Sequence, residues 1–391
     1  MKFVYSLLIP LILLACKEQS FKPGTFGYDM EILKNVEGIE VLQDGNSMIA
    51  LSGVYQGRVF TTSSKGMNGR SYGWLRKDAV EAGNSDVVMS SIGGEGRMIF
   101  GPEAGKYSIF FDPGDDQVPE NIKISPDLNN KKFILIEKGE NSVVYGSDLK
   151  IRNANGYVFD IYAKRKIELI KRSAIESQFD LSLPDEVSIV AFSASSEIEN
   201  IGSEQWSKEN GLLAIWDLGC MLPSSECKVI IPLSQPTDSL TEYFTSTEGR
   251  YLIQNDVAFY KSDAAYMNKI GLPPEYCKNV MGSYSPELDL LNIVHFSFDN
   301  DSTSTYVNSV WGHSNPYKGD VINIFNGEVN VALDRNWPFF EFESSSSARE
   351  LKPEEKMKHM QSIYHFEGDK EDLSKISKAI LGISLDEVPE F

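Results

Sequence analysis

The chain has 391 residues, with 37 Lys and Arg against 56 Asp and Glu and a formal net charge of −19. Hydrophobic residues make up 41% and charged ones 24%, which excludes a disordered chain, a collagen and a coiled coil. The acidity argues against a nucleic-acid binder, because neutralising phosphates takes a basic surface, and against electrostatic docking on anionic lipid.

Lys2 is the only charge before an apolar stretch from Phe3 to Ala15. Interrupted by Ser6 and Pro10, that stretch is too short to cross a hydrocarbon core of about 30 Å as a helix. It fits the apolar region of a secretory signal. It ends Leu13-Leu14-Ala15-Cys16, which resembles the bacterial lipobox. The resemblance implies removal of residues 1–15, a diacylglycerol on the Cys16 thiol and an acyl group on its amine. The alternative is an ordinary signal peptide with an incidental Cys. Several acyl chains anchor stably where one does not, so a membrane is an expected partner through Cys16. Lys17 stands where inner-membrane retention would have Asp. This resembles sorting to the outer membrane, on its periplasmic or cell-surface side. Residues 16–27 read as lipidated Cys and tether, and residues 28–391 as a single domain.

Beyond the tether the chain reads as strand after strand. Segments 53–64, 98–100, 107–111, 132–137, 142–145, 149–152, 157–162 and 166–170 are β-rich, several with period-2 alternation, and Gly, Pro, Asp and Asn clusters separate them. Later strands are expected at 187–193, 212–216, 228–232, 288–298, 320–325, 339–344 and 356–366. Helical signal is sparse, with short candidates at 29–35 and 78–82. The best is 372–381, with Asp372 as its N-cap, an apolar face of Leu373, Ile376, Ile380 and Leu381, and Gly382 past its end. No composition break or repeat divides the chain. The expectation is one mainly β, antiparallel domain with few short helices and a C-terminal helix.

Cys220 and Cys227 flank a turn-rich span before the strand-like 228–232. A hairpin disulfide between them is one reading, and three free buried thiols, with Cys277, the other. No Cys-x-x-Cys or Cys/His cluster exists, so no metal site is expected, and no cofactor is implied.

Several segments resemble the galactose mutarotase-like (aldose 1-epimerase) superfamily, whose fold is the β-supersandwich. Asn200-Ile-Gly202 followed by Gly211-Leu-Leu-Ala-Ile-Trp216 is similar to its strand, Asn-x-Gly, loop, strand step. Pro338-Phe-Phe-Glu-Phe-Glu-Ser344, then Leu351-Lys-Pro-Glu-Glu355, resembles its closing segment. More closely, Tyr55–Val59, Ser71–Trp74, Gly93–Arg97 with Gly101–Glu103, Lys269–Gly271 and Pro316–Asp320 resemble an uncharacterised family of bacterial lipoproteins within that superfamily. The resemblance spans roughly residues 50–370.

Mutarotase chemistry needs a carboxylate to take the anomeric hydroxyl proton and an acid to protonate the ring oxygen. The match of Phe342-Glu343-Ser344 to the family's Leu-Glu-Thr step implies that Glu343 stands where the base sits. Glu341 shares its strand face. Both mutarotase histidines lack a counterpart, near Gly93-Gly-Glu95 and near Trp216-Asp217. His313, in the aromatic-rich Trp311-Gly-His-Ser-Asn-Pro-Tyr317, is the best replacement acid. His295 reads as a sheet residue, and His359 and His365 as surface residues. Glu95 and Arg97 in their Gly-rich loop, with Trp216, Lys269, Tyr317, Asp320 and Glu341, make a set suited to binding sugar hydroxyls and pyranose faces, although each aromatic alone reads as core. Trp74, Trp311 and Trp337 belong to the same aromatic set. The resemblance thus implies a carbohydrate-active enzyme working by epimerisation or carboxylate-assisted chemistry. Alternatives are a non-catalytic carbohydrate-binding lipoprotein and a structural envelope protein. Carbohydrate is the expected partner and nucleic acid is not.

Overall fold

A computed structural model describes residues 20–81, 92–299, 301 and 303–391. Cys16 and the signal segment lie outside these residues. Among them the helices are α1 (Phe26–Leu33), α2 (Lys77–Glu81), α3 (Pro126–Asn129), α4 (Arg172–Phe179) and α5 (Lys370–Ile380). The strands are β1 (Ile39–Asp44), β2 (Ser47–Ser52), β3 (Arg58–Ser63), β4 (Arg97–Gly101), β5 (Ile134–Lys138), β6 (Ser142–Arg152), β7 (Val158–Leu169), β8 (Ser188–Asn200), β9 (Ala214–Met221) and β10 (Lys228–Pro232). They continue with β11 (Thr241–Glu242), β12 (Tyr251–Gln254), β13 (Val257–Lys261), β14 (Ala265–Leu272), β15 (Val280–Ser285), β16 (Leu290–Phe296), β17 (Ile322–Asn330), β18 (Arg335–Asn336), β19 (Phe340–Ser345) and β20 (Lys356–Glu367).

Two large antiparallel sheets face each other. One has ten strands in the order β12-β13-β10-β15-β16-β20-β8-β7-β6-β5, and the other runs β11-β14-β17-β19-β9-β4 with β18 pairing β17. In β7, Phe159, Ile161, Ala163, Ile167 and Leu169 point inward, and they meet Phe100, Ile215, Ile324 and Phe342 of the second sheet in the main core. The outer face of the ten-stranded sheet is covered by α5 and α4, through Leu373, Ile376 and Ile175 against Ile293, Tyr364 and Phe366. A third sheet, β1-β2-β3, packs with α1 and α2 around Phe26, Leu33 and Phe60.

Several expectations change. Phe26 is fully buried and Thr25 caps α1, so residues 26 and 27 belong to the fold rather than to a tether. The cap of α5 is Asp369, three residues before Asp372, whose N–H it accepts at 2.9 Å. Gly382, at φ +79°, ends that helix as expected. Segment 107–111 is a buried loop, because Ser108 Oγ takes the Phe110 N–H that a neighbouring strand would take. The two motifs 200–216 and 351–355 meet, since Asn200 Nδ2 donates to the Leu351 carbonyl at 2.9 Å.

Candidate functional site

Register decides which side chains of the six-strand path share a face. Opposite Glu343 lie Asn323 on β17 and Leu218 on β9, and opposite Glu341 lie Phe325 and Cys220. Lys269 pairs with Phe325, and Arg97 pairs with Leu218. Alternation therefore gathers Arg97, Trp216, Cys220, Lys269, Asn323, Phe325, Glu341 and Glu343 on the face turned away from the ten-stranded sheet.

Glu343 is only 1% exposed. Its Oε2 accepts from Lys269 Nζ at 2.8 Å and from the Trp216 indole N–H at 3.0 Å. Its Oε1 is buried with no hydrogen-bond partner among the described residues. Burial pushes the carboxyl up to about 7; Lys269 opposes this and Glu341 adds to it. Burial would depress Lys269, but the carboxylates of Glu343, Glu103 and Glu341 outweigh it and hold the ammonium above its ordinary value. That ammonium lies 4.7 Å from the Trp216 ring and 5.1 Å from the Tyr243 ring.

Glu341 is half-buried and marks the open side of the site. The Cys220 thiol donates to its Oε1 at 3.1 Å. Burial raises the Glu341 carboxyl, and burial with the facing carboxylate raises the thiol. Arg97 is buried nearby, lowered to about 10 by burial against the pull of Cys220 and Glu341. On the other side of Lys269 an enclosed cavity of about 10 Å³, room for one water, is lined by Trp216, Lys269, Tyr243, Asp320 and Asn323. Asp320 accepts from Tyr243 at 2.9 Å and Thr241 at 3.1 Å, and burial pushes it up to about 6.

The structure thus brings together Glu343, Glu341, Lys269, Trp216, Arg97 and Asp320. It does not bring Glu95 to them. Glu95 is fully buried, accepting from the Thr62 N–H at 2.6 Å and Oγ1 at 2.9 Å, with His365 Nε2 at 2.8 Å. The strand begins only at Arg97, so alternation does not extend back to Glu95. The glycines before it serve the backbone. Gly93 and Gly94 have φ +82° and +105°, and a Cβ on either would meet a carbonyl, of Trp74 or Val59.

Tyr317 stacks on Tyr107 at 6.0 Å and donates to the Lys208 carbonyl, away from the carboxylates. His313 packs on Gly105, with Nε2 3.5 Å from the Ala104 carbonyl, and makes no hydrogen bond to Glu343 or Glu341. His359 and His365 are buried rather than on the surface. His359 lies between Ser297 and Ser344, lowered to about 3 by burial and by Arg165. Cys220 and Cys227 are free, since Cys220 faces Glu341 and Cys227 sits in the core near β10. Sequence reasoning missed Tyr243, Asn323 and Phe325, which only the pairing of β11, β14 and β17 places here. No cluster of His, Cys, Asp and Glu among the described residues could hold a metal.

The two facing antiparallel sheets match the galactose mutarotase-like sandwich fold. The galactose mutarotase-like protein from Lactobacillus casei ATCC 334 matches with a TM-score of 0.50, over 84% of this chain and 100% of that one, at 11% identity. The galactose mutarotase related enzyme from Lactobacillus acidophilus matches at 0.50, over 84% and 97%, at 8% identity. Such identities carry the fold and not the activity. Residues 24–391 match a family of unknown function, DUF6786, and the chain belongs to it. A comparison with curated proteins finds no match.

Proposed function

We propose that the protein is a lipid-anchored envelope protein whose supersandwich domain acts on a carbohydrate, with Glu343 as the proton-exchanging group. The observation that carries this reading is the division of the Glu343 carboxylate. One oxygen is clamped by Lys269 and Trp216, the other is buried without a partner, and the group titrates at about 7. Such a carboxylate takes and returns a proton near neutrality. In ring opening, Glu343 takes the anomeric hydroxyl proton, the bond from the anomeric carbon to the ring oxygen breaks, and that oxygen gains a proton. That proton comes from solvent water entering with the sugar, because Asp320, at about 6, is largely ionised at neutral pH and lies on the far side of Lys269. Closure on the other carbonyl face reverses the transfers and gives the other anomer.

The test is anomer exchange of a panel of aldoses followed by NMR. Glu343→Gln is expected to lower the rate about 100-fold or more. An unchanged rate removes Glu343 from the mechanism.

Two observations favour a second reading, a non-catalytic carbohydrate binder. No histidine among the described residues hydrogen-bonds Glu343, and Lys269 is held protonated too firmly to be an efficient acid at neutral pH. Saturable quenching of Trp fluorescence by a sugar that shows no anomer exchange would select this reading.

The anchor rests on Leu13-Leu14-Ala15-Cys16. Cys16→Ala is expected to move the protein out of the outer-membrane fraction. Retention of that variant there would remove the lipid from the reading.

A further inference from the structure

We propose that the ligand of this site is a glycan chain rather than a single free sugar, held along a lane of aromatic rings that runs from the carboxylates to the surface. This deepens the carbohydrate reading above and rests on it.

The lane starts beside Glu341. Phe325 stands opposite Glu341 in the β17–β19 register, on the same face. Its ring centroid is 5.7 Å from Phe339, and Phe339 stacks on Trp74 at 4.3 Å and 28°. On the outer side Phe325 is 6.3 Å from Phe244 and 6.3 Å from Trp337. Exposure rises along this series. Trp74 and Phe339 are buried, Phe325 is half-buried, and Trp337 and Phe244 are 38% and 44% exposed.

Two observations make this a ligand surface rather than the edge of the core. Trp74 and Phe339 form a small cluster with Cys220 apart from the main core, Phe325 packs against it, and Phe244 and Trp337 stand exposed beyond it. The rings also adjoin Glu341, the half-buried carboxylate, whereas Glu343 behind it is only 1% exposed. A sugar unit held at Glu341, with Glu343 behind it, would leave its neighbours over Phe325, Trp337 and Phe244. Pyranose rings have an apolar C–H face and a hydroxyl edge. Phe244 and Trp337 flank Phe325, tilted 54° and 56° to it, and such rings beside a carboxylate match both. A lone monosaccharide at the carboxylates would leave the outer rings uncovered.

The test uses the purified protein with homo-oligosaccharide ladders of one to six units, from cello-, malto-, manno- and chito-series, followed by calorimetry and Trp fluorescence. One series is expected to bind at least about tenfold more tightly as the tetramer than as the monomer. Trp337→Ala and Phe244→Ala should each lower tetramer affinity toward that of the monomer, and Trp337→Phe should restore most of it. Monomer and tetramer binding alike would overturn the lane while leaving the carbohydrate reading intact. The same holds for tetramer affinity unchanged in both alanine variants. Should Trp337→Ala change only the sedimentation of the protein, the rings are a protein interface and the lane is overturned. No binding by any sugar of any length would overturn both readings.

Discussion

Glu343 and its neighbours set a pH dependence whose sign can be worked out. Burial raises the Glu343 carboxyl from 4.5 to about 7, so the fold favours its protonated form. A group raised in this way contributes its full stability below its unfolded value, and loses it as pH rises through the folded value. Stability held by Glu343 therefore falls between about pH 4.5 and pH 7, by up to about 3 kcal/mol. Glu343→Gln removes this slope and keeps an acceptor and a donor in place. Asp320 shifts in the same direction but is present in both chains, so the difference between them reports Glu343 together with its effect on Glu341 and Lys269. Urea unfolding at pH 5 and pH 8 is the measurement. The wild-type protein should lose more stability than the variant between the two values. Equal losses would mean that Glu343 ionises as an ordinary surface carboxylate. At this scale Glu341, Glu343 and Lys269 were legible through the resemblance of their segments. The tie between Lys269 and Glu343 was not, because β14 and β19 are separated by β17 and no local pattern reports that spacing.

Elements were legible where one face is buried and the other wet. In β7 every second residue from Phe159 to Leu169 is buried, and the alternation shows in the sequence. It fails where both faces are covered. All eight residues of β9 are buried, and β14 buries Asn268 and Lys269 in succession, so neither reads cleanly as amphipathic. The strands β12 to β15 also went unread, and in β14 the bulge between Ala265 and Asn268 breaks the alternation further. The opposite error arose at 107–111, where an apolar run reads as a strand. There Ser108 satisfies the backbone locally, and the chain turns inside the core. Helix α5 was legible in its apolar face and its Gly382 stop. Its start slipped by one turn because Asp369 and Asp372 are both competent caps, and only Asp369 has the extended backbone a cap requires.

Across the whole molecule the layers are joined by buried polar groups as well as by apolar packing. Glu95 and His365 tie the segment leading into β4 to β20, and Asn292 Oδ1 lies 2.7 Å from the other nitrogen of that ring. Ser344 of β19 meets His359 and Gln361 of β20 at 2.8 and 2.7 Å. Between the two large sheets, Arg165 of β7 is paired with Asp217 of β9, and Ser196 donates to the guanidinium's partner as well as accepting from Arg165. Arg165 is fully buried and its Nη2 has no hydrogen-bond partner among the described residues. Taking two charges out of water costs nearly what their attraction returns, so such a pair adds little net stability while it is intact. Breaking one half is another matter, because the guanidinium is left buried without its counter-charge. Asp217→Ala is therefore expected to cost about 3–5 kcal/mol, while the double change Arg165→Met with Asp217→Leu should cost far less. Denaturant unfolding of the wild-type, single and double variants measures this. A double variant as unstable as Asp217→Ala would mean that the charges themselves hold the sheets in place. A single variant close to wild type would mean that the pair does not bridge them at all.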